Sequence, residues 1–561
     1  MLAPRRKTRT TKSKTGCRTC RARRIKCDEL PGACRNCTST GRVCEGYDAY
    51  RLPVRRTRRD AGPEGLVLTQ TPSGLRWKIT SDERRCLSFF QHRTIPDLVG
   101  LYDSPLWQKL VLQLSHAEPV VYHSVVALAA THQALEVNKK PCFKQSSKNI
   151  WSQFALERSS KAVALLTQRR MSQDPQLQEV TLVSCLLFLT RELLCGNYDV
   201  ASLHVLGGLK ILKQLGIQRR ISGTLISPVE QCVVEMFLHL QMQSVYYGTG
   251  APLTVDDDFV YHQPYEDYLL IFRRLQDARQ VFEPLLNTAF LFVASCRHRS
   301  DEELLAGYSN LEQKQLLLLS YFSRYLEQFE LLYHGAYILL NQREQREADM
   351  TKLTCLSALL SLKTCLLSKD QLFPDYLTPE CEALVSFAEA VVGRLQSHSL
   401  ITLDSAVIAG LYNASYKCSD FSVRVRAIDA LRSWQHWEGF LHSGITADIL
   451  EESMRGDLLK LKQKRDTTGR CLPPGVSFIT TPDGQGYARV PYRIGQAERE
   501  RWISMETPAS LFAAFSANKT SSKWACVRSL GTCSPAGRWA FISERGSHDG
   551  ESRGRWVLFP S

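Results

Sequence analysis

Apolar residues recur at helical spacing through most of the chain. Leu182, Leu186, Leu189 and Leu193 follow one another at intervals of three and four residues, which places them on one face of a helix. The alternation of valine, isoleucine and threonine that is typical of strands is scarce in the same region. This pattern predicts an all-α domain over residues 81–465, with its apolar stripes in the core.

Proline marks the expected start of several of these helices. Ser104-Pro105 precedes LWQKLVLQL, and Ser227-Pro228 precedes VEQCVVEMFLHLQMQSVYY. Each pair combines a good N-cap residue with proline at the first helical position, where its missing N–H costs nothing. Pro119 opens a further apolar stretch in the same way.

Helix-breaking residues flank the predicted helical domain on both sides. Residues 45–80 carry proline and glycine at a density that no helix sustains, and they lack coiled-coil heptads, which predicts a flexible linker. Beyond residue 466 helical periodicity mostly disappears, and only residues 497–516 resemble a short helix. We therefore predict a low-order tail over residues 466–561.

Several features inside the helical region favour packing over chemistry. Gly207-Gly208 lowers helix propensity, which suggests that a neighbouring helix approaches closely there. Trp434, Trp437 and Phe440 have the spacing of a helical aromatic stripe and are interpreted as core.

Lone histidines and scattered cysteines lie in the same apolar stretches. His123, His132 and His204 have no companion ligands at metal spacing, so we interpret them as core or helix-surface residues. Thirteen of the 19 cysteines, among them Cys185 and Cys195, are expected to pack as small hydrophobic residues, with redox sensing as the alternative.

The chain shows no recognisable catalytic constellation. Asp256, Asp257 and Asp258 resemble the start of a magnesium–diphosphate motif, but Val260 occupies the position of its last carboxylate, so a loop or helix start is favoured. The P-loop, HExxH and GxSxG patterns are absent from the sequence. We expect no enzyme, although an enzyme with an appended metal module remains one alternative.

Positive charge is concentrated at the N-terminal end. Residues 1–60 carry 18 Lys and Arg against 5 Asp and Glu, out of a net charge of +15 for the whole chain. Such a concentration indicates a polyanionic partner, either nucleic acid or an anionic membrane surface. The basic arm of residues 1–16 suits a nuclear import signal, a contact with DNA phosphates, or both.

The compartment follows from what the sequence lacks. The first residues, MLAPRRKTRTTKSK, contain no apolar segment typical of a secretory signal, and no uninterrupted apolar run of about 18 residues predicts a membrane span. A reducing cytosol or nucleus is therefore expected, where cysteines remain thiols or metal ligands.

Six cysteines form a repeated pattern within residues 17–44. Their spacing is C-x2-C-x6-C-x6-C-x2-C-x6-C, and the second three repeat the first three at an offset of 17 residues. A segment this short cannot build an apolar core, and thiolates in two CxxC pairs favour tetrahedral zinc over an iron–sulfur cluster or a redox dithiol. Six ligands are too few for two separate four-ligand sites, so two thiolates must bridge two metals. The ligands are Cys17, Cys20, Cys27, Cys34, Cys37 and Cys44.

The two halves of the repeat differ in charge. RARRIK separates the second and third cysteines, whereas TSTGRV separates the fifth and sixth. The first half is therefore predicted to face DNA, where arginine can bind guanine O6 and N7 in the major groove, with a solvated charged helix as the plain alternative. The predicted contacts are Arg21, Arg23, Arg24 and Lys26.

The stretch GCRTCRARRIKCDELPGACRNCTSTGRVCEGY resembles the fungal binuclear zinc-cluster DNA-binding domain over its full length. The resemblance implies two Zn²⁺ ions bridged by Cys17 and Cys34, and a CGG-like half-site read by Arg24. Arg21, Arg23 and Lys26 would then mainly contact phosphates, with a base edge also open to Arg23.

The helical region resembles, more loosely, the regulatory domain that often follows this cluster. SDERRCLSFFQHRTIPDLVG, LWQKLVLQLSHAEPVVYHSVVALAATHQ and HVLGGLKIL carry that likeness within residues 81–216. The implied protein is a nuclear regulator of RNA polymerase II promoters that binds double-stranded DNA and the transcription machinery, with any self-association in the helical domain. A zinc-stabilised scaffold that binds only proteins is the second alternative, which the basic bias beside the cysteines disfavours.

Overall fold

The computed structural model describes residues 16–46, 77–138, 150–222, 228–246 and 272–505, apart from gaps of one to three residues, and two further strands at 538–544 and 553–559. The basic arm up to residue 15, most of the predicted linker and the acidic run at Asp256 lie outside the described residues. No helix within the described ranges is long and apolar enough to span a bilayer.

Within the described residues 16–46, the cysteine repeat forms two very short helices, α1 (Arg18–Ala22) and α2 (Arg35–Thr38). The helical domain begins at Ser81, where Thr80 caps the first helix and Glu83 reaches back to the N–H of Thr80. Its first half comprises α3 (Ser81–Phe89), α4 (Ile95–Leu98), α5 (Val111–Ala117), α6 (Pro119–Asn138), α7 (Ile150–Gln168), α8 (Leu177–Leu194), α9 (Tyr198–Ser222) and α10 (Pro228–Tyr246), with π-helical turns at Phe90–Thr94 and Leu106–Leu110.

The core of this half forms around α6 and α8. The predicted stripe of leucines on α8 is buried, from Leu182 to Leu193, but Val183 and Leu187 on the other face are buried as well. Helices that are apolar all round occupy the centre of a helical domain. The proline-marked starts at Pro119 and Pro228 are confirmed as the first residues of α6 and α10.

The glycine pair in α9 permits a close helix contact, as predicted, but only through one of its members. A Cβ atom on Gly208 would lie 2.1 Å from the ring of Phe237 in α10, whereas a Cβ on Gly207 would meet nothing within 4 Å. Gly208 is therefore the residue that lets α9 and α10 approach each other.

The second half of the domain has its own core. The helices of this half are α11 (Leu275–His298), α12 (Asp301–Ala306), α13 (Tyr308–Ala336), α14 (Gln342–Thr364), α15 (Thr378–Arg394), α16 (Val407–Ser415), α17 (Phe421–Ser433) and α18 (Ser443–Thr468). Large buried side chains at its centre include Phe292, Phe322, Phe329 and Phe421.

A small sheet joins the two halves. Strand β1 (Ile401–Thr402) pairs parallel with β2 (Trp437–Glu438), which pairs antiparallel with β3 (Leu441–His442). The buried carboxylate of Glu438 accepts hydrogen bonds from the first N–H groups of α16, at 2.8 to 3.0 Å. Upstream of β1, the N–H of Leu400 donates to Asp97 of α4.

The aromatic stripe predicted at residues 434–440 is buried but not helical. Trp434 ends α17, Trp437 lies in β2 and Phe440 lies in the turn before β3. The helical part of the prediction is wrong because Gly439, at a φ of +52°, turns the chain into a hairpin. Packing was predicted correctly, since all three side chains are at most 6% exposed.

Residues 477–504 differ from the predicted low-order tail. Strands β4 (Ser477–Thr480), β5 (Gly486–Ile494) and β6 (Ala497–Ser504) form an antiparallel sheet, so the short helix predicted from residue 497 is a strand. Along β5 the buried residues Ala488, Val490 and Tyr492 alternate with more exposed ones, and they share a core with Ile503 of β6 and with α17 and α18. A separate antiparallel pair, β7 (Arg538–Glu544) and β8 (Arg553–Phe559), follows.

Candidate metal centre and nucleic-acid interface

The cysteine repeat of the sequence is a structural repeat. Cys17 and Cys34 occupy the N-cap positions of α1 and α2. The backbone N–H of Cys17 points at the sulfur of Cys27, 3.4 Å away, and that of Cys34 points at the sulfur of Cys44, 3.5 Å away. Each half is thus a short helix followed by an extended segment that brings the third cysteine back to the first.

All six sulfur atoms come together between the two halves. They fall into two groups of four, in each of which the ligand atoms lie within 4.8 Å of one another. Both groups contain Cys17 and Cys34, as the bridging prediction requires. The first group is completed by Cys20 and Cys27, and the second by Cys37 and Cys44.

The distances between sulfurs fit tetrahedral zinc. Cys17 and Cys34 are 3.6 Å apart, Cys20 and Cys34 3.5 Å, and Cys17 and Cys37 3.8 Å. Two sulfurs bound to one zinc at about 2.3 Å in a tetrahedron are separated by about 3.8 Å, whereas a disulfide is about 2.05 Å long. None of the six cysteines forms a disulfide. The donor set therefore fits zinc and not a set of disulfides.

The surroundings of three of the six sulfurs favour the neutral thiol unless a cation is bound. Burial raises the pKa of the Cys17, Cys20 and Cys34 thiols above its ordinary value. A divalent ion reverses this preference, because it stabilises thiolates directly and releases their protons. Cys44 is the most exposed of the six, and the other five are at most 5% exposed.

Both helices end in the same way, although with different residues. After α1 the N–H of Ile25 donates to Cys20 and that of Arg24 donates to Arg21; after α2 the N–H of Arg42 donates to Cys37 and that of Gly41 to Thr38. These bonds define a Schellman motif, whose turning residue has positive φ. That residue is Arg24 at +58° in the first half and Gly41 at +61° in the second.

The side chains of the predicted DNA contacts differ in how exposed they are. Arg24 and Lys26 are exposed, on the segment that leads to Cys27, while Arg21 is half-buried on α1. Arg23 is also half-buried, and its Nη1 donates to the carbonyl of Asn36 at 3.2 Å and to the hydroxyl of Thr40 at 3.1 Å. The sequence placed these four residues together, but it did not reveal that Arg23 is directed toward the second half.

Sequence reasoning missed two further bonds between the halves. The side-chain amide of Asn36 donates to the carbonyl of Lys26 at 2.6 Å, and the hydroxyl of Thr19 donates to the carbonyl of Val43 at 3.1 Å. Thr19 and Asn36, like Lys26 and Val43, are separated by the repeat offset of 17 residues. Matching polar residues at that offset was the signal that could have identified them.

The remaining candidates behave as packing residues. His132 and His123 are buried, and each lies 3.3 Å from a buried carboxylate, Asp97 and Glu83 respectively. The cysteines of the helical domain that the structure describes form no disulfides and are buried or half-buried. Within the described ranges, the six clustered cysteines supply the only groups suited to a metal ion.

Two family models match the chain. Residues 15–52 match the fungal Zn(2)-Cys(6) binuclear cluster domain, and residues 85–253 match the fungal specific transcription factor domain. The first match covers the cysteine module, and the second runs from within α3 past the end of α10.

Curated relatives show similarity over parts of their length. An aspercryptin biosynthesis cluster-specific transcription regulator of Emericella nidulans is 26% identical over 260 residues, which are 43% of this chain and 41% of the relative. The transcription regulator lscL of Purpureocillium lilacinum is 25% identical over 35% of this chain and 48% of its own. The transcriptional regulatory protein moc3 of Schizosaccharomyces pombe is 67% identical over 36 residues, 6% of this chain and 7% of its own. The chain thus spans less than half the length of each of these relatives, and no solved structure matches it.

Proposed function

We propose that this chain is a fungal-type binuclear zinc-cluster protein with a fungal specific transcription factor domain, and that it acts as a sequence-specific DNA-binding regulator of transcription by RNA polymerase II. The observation that carries the proposal is the pairing of two four-sulfur groups with an exposed basic segment, Arg24–Lys26, that ends on the ligand Cys27. No catalytic activity is assigned to the chain.

The metal centre is proposed to hold two Zn²⁺ ions. Cys17 and Cys34 would bridge them, Cys20 and Cys27 would complete one site, and the last two cysteines of the repeat would complete the other. Because the thiolates are the main cross-links of the module, its folding is coupled to metal binding. Zinc supplies charge and fixed geometry here, and the protein side chains carry out DNA recognition.

The zinc count is tested by mass spectrometry under native conditions on protein purified in reducing buffer. Two zinc ions are expected for the unaltered chain. Cys17→Ala and Cys34→Ala should lose more zinc than Cys44→Ala, because each bridging thiolate serves both metals. A single bound zinc, or three disulfides within residues 17–44, would contradict the proposal.

Arg24 is proposed as the residue that reads bases, with Arg21 and Lys26 on phosphates. Its side chain is exposed, and it leaves the module at the turn after α1, where its backbone has a φ of +58°. The family resemblance suggests a CGG-like half-site. Base contacts discriminate between sequences, whereas phosphate contacts add affinity to any duplex.

Selection of bound duplexes from a random pool identifies the site, and binding curves at several salt concentrations then separate the roles. Arg24→Ala should cost about 1 to 3 kcal/mol on the selected duplex and little on a scrambled one. Lys26→Ala and Arg21→Ala should weaken both duplexes alike and reduce the salt slope by about one unit. If Lys26→Ala removes the discrimination while Arg24→Ala weakens both duplexes equally, Lys26 is the base reader.

The cellular setting is part of the same proposal. The protein is placed in the nucleus, where its helical domain would contact the transcription machinery and any second copy of the chain. A fluorescent fusion with the basic residues of the 1–16 arm replaced by alanine tests the import role of that arm. Sedimentation of residues 1–80 tests self-association, and a stable dimer of that fragment would place it outside the helical domain.

A further inference from the structure

We infer that Arg23 is a positioning residue, and that together with Asn36 it holds the DNA-facing segment Arg24–Lys26 against the second half of the module. We call Arg23, Lys26, Asn36 and Thr40 the clasp. The inference rests on the proposed DNA-binding function and assigns Arg23 a role other than the phosphate or base contact that its place in a basic segment suggests.

The clasp closes through bonds in both directions around Asn36. The backbone carbonyl of Asn36 accepts from Arg23 Nη1 at 3.2 Å, while its side-chain amide donates to the carbonyl of Lys26 at 2.6 Å. One residue of the second half is thus bonded to both sides of Arg24. Thr40 adds a third bond, since its hydroxyl accepts from Arg23 at 3.1 Å and donates to the carbonyl of Asn36 at 2.9 Å.

These hydrogen bonds hold residues 24–26, which the metal ligands do not hold directly. Residues 24–26 lie between α1 and Cys27 and contribute no ligand, so their path depends on the Schellman turn at one end and on Asn36 at the other. A base-reading side chain must be held within a fraction of an ångström, and its supporting bonds commonly come from residues that never touch the ligand.

The second half of the repeat provides an internal comparison. Thr19 makes the equivalent bond to the carbonyl of Val43, at 3.1 Å, but the segment that it supports carries Gly41 where the first half carries Arg24. Arg23 itself is matched by Thr40, its own partner, at the offset of 17 residues. The bonds of the arginine and of the Asn36 amide therefore support the segment of the repeat that carries the charge.

Binding measurements on the full-length zinc-loaded chain distinguish positioning from contact. Arg23→Ala and Asn36→Ala should each lower the ratio of selected to scrambled affinity about tenfold, equivalent to about 1.4 kcal/mol, with the salt slope within about half a unit of wild type. Thr40→Val removes a hydroxyl that faces Arg23 and should act in the same direction. Thr19→Val, the matched control, should leave the ratio unchanged, and native mass spectrometry confirms zinc in every variant.

Two further comparisons rule out a purely structural effect. Arg24→Ala should cost much less discrimination in the Asn36→Ala background than in wild type, because the base reader is already displaced. The losses of discrimination caused by Arg23→Ala and Thr40→Val should be non-additive when the two are combined, because both remove the same hydrogen bond between Arg23 and Thr40. An Arg23→Ala variant that loses about one unit of salt slope and weakens both duplexes alike is a phosphate-contact variant and overturns the inference.

Failure of the proposed function is a separate outcome. A wild-type chain that prefers no duplex refutes DNA reading, and hydrogen exchange then tests the clasp alone. Protection of the Ile25 amide, bonded to Cys20 at 3.1 Å, should fall in Asn36→Ala and not in Thr19→Val. Equal protection in both variants would show that the segment does not depend on the clasp.

Discussion

At the end of α1, Arg24 adopts a backbone conformation that is costly for arginine and free of cost for glycine. A left-handed residue with a Cβ atom is destabilised by roughly 1 kcal/mol, and the matching position in the second half is a glycine. Strained residues of this kind persist where the surrounding structure enforces them, often at functional sites. The strain therefore supports the proposal that Arg24 is retained for DNA.

Arg24→Gly should accordingly stabilise the zinc module while removing DNA discrimination. We expect a gain of about 1 kcal/mol, read as a shift in competition for zinc with a chromophoric chelator, because folding and metal binding are coupled. Gly41→Ala is the opposite control: its Cβ would meet nothing within 4 Å, so it tests backbone strain alone and should weaken zinc binding. No gain in Arg24→Gly would mean that the turn is not strained in solution.

The surroundings of Glu83 predict how the stability of the helical domain responds to acid. Burial alone would raise the pKa of this carboxyl, but hydrogen bonds from His123, the N–H of Thr80 and Arg158 outweigh burial and lower it to about 2. A carboxyl with a lowered folded pKa contributes stability above its unfolded pKa of about 4.5, and this contribution is lost as pH falls toward 2. It is worth about 2 to 3 kcal/mol at neutral pH.

Glu83→Gln removes the titrating group and nearly preserves its shape. Urea unfolding, followed by helical circular dichroism, should show the variant less stable than wild type at pH 7, with a gap that narrows below about pH 4.5. Glu136→Gln, at a carboxylate that pairs with Arg93 nearer the surface, is the control and should show a smaller gap. A Glu83→Gln gap independent of pH would refute the lowered pKa.

Sequence reasoning worked best at this scale where one residue type has one dominant role. The six cysteines could be assigned because thiols at CxxC spacing have few other uses inside a reducing cell. The contact of Arg23 with the second half could not be predicted, because an arginine in a basic run has the same sequence signature whether it binds a phosphate or a carbonyl 13 residues away. Only the fold of the second half decides between the two.

Between elements, the close approach of α9 and α10 depends on Gly208. An alanine there would place its Cβ 2.1 Å from the ring of Phe237, so α9 and α10 would have to move apart. We expect Gly208→Ala to lower the free energy of unfolding by about 1 to 3 kcal/mol. Gly207→Ala, one position away on the open face, should instead raise it by up to about 1 kcal/mol, because alanine favours the helix.

Chemical denaturation of Gly208→Ala and Gly207→Ala checks whether the free energy of unfolding falls in the first variant and rises in the second. Equal effects at both positions would show that helix propensity alone governs the site. The sequence predicted that the glycine pair permits close packing, but not which glycine does so, because the two differ by only about 100° around the helix axis and nothing in the sequence locates the neighbour.

For the whole molecule, helical periodicity identified the main domain, since apolar spacing reports directly on which face is buried. Within the predicted tail, residues 477–504 were misjudged because their strands carry charged residues on the outer face. Glycine and proline, which indicated low order, occupy turns and strand edges there: Gly475 has a φ of +82°, and Pro491 lies exposed within β5. The composition of the segment reveals its glycines and prolines, but it does not show that Val490, which lies between Gly475 and Pro491 in the sequence, is buried.

The sheet β4–β6 should therefore be part of the stable domain. It is anchored to α17 by Tyr492, whose hydroxyl donates to Asp429 at 2.6 Å, and by Arg501, which bonds Asp429 at 3.2 Å and Glu451 of α18 at 2.9 Å. Each fully buried aliphatic side chain contributes about 1.5 to 3 kcal/mol, so a chain ending at Thr468 should unfold several degrees below the full-length protein.

A substitution within the full-length chain tests the same point without truncation. Val490→Ser places a hydroxyl in the core, where Val490 is 1% exposed, and should lower the melting temperature of the helical domain measurably. Arg493→Ser introduces serine three residues later on β5, where the Arg493 side chain is 73% exposed. This variant should change the melting temperature little. If both variants melt like wild type, the sheet contributes nothing to the domain and the low-order interpretation of residues 466–505 stands. If only Val490→Ser melts early, the helical domain extends through β6, and fragments designed from helical periodicity alone would cut into its core.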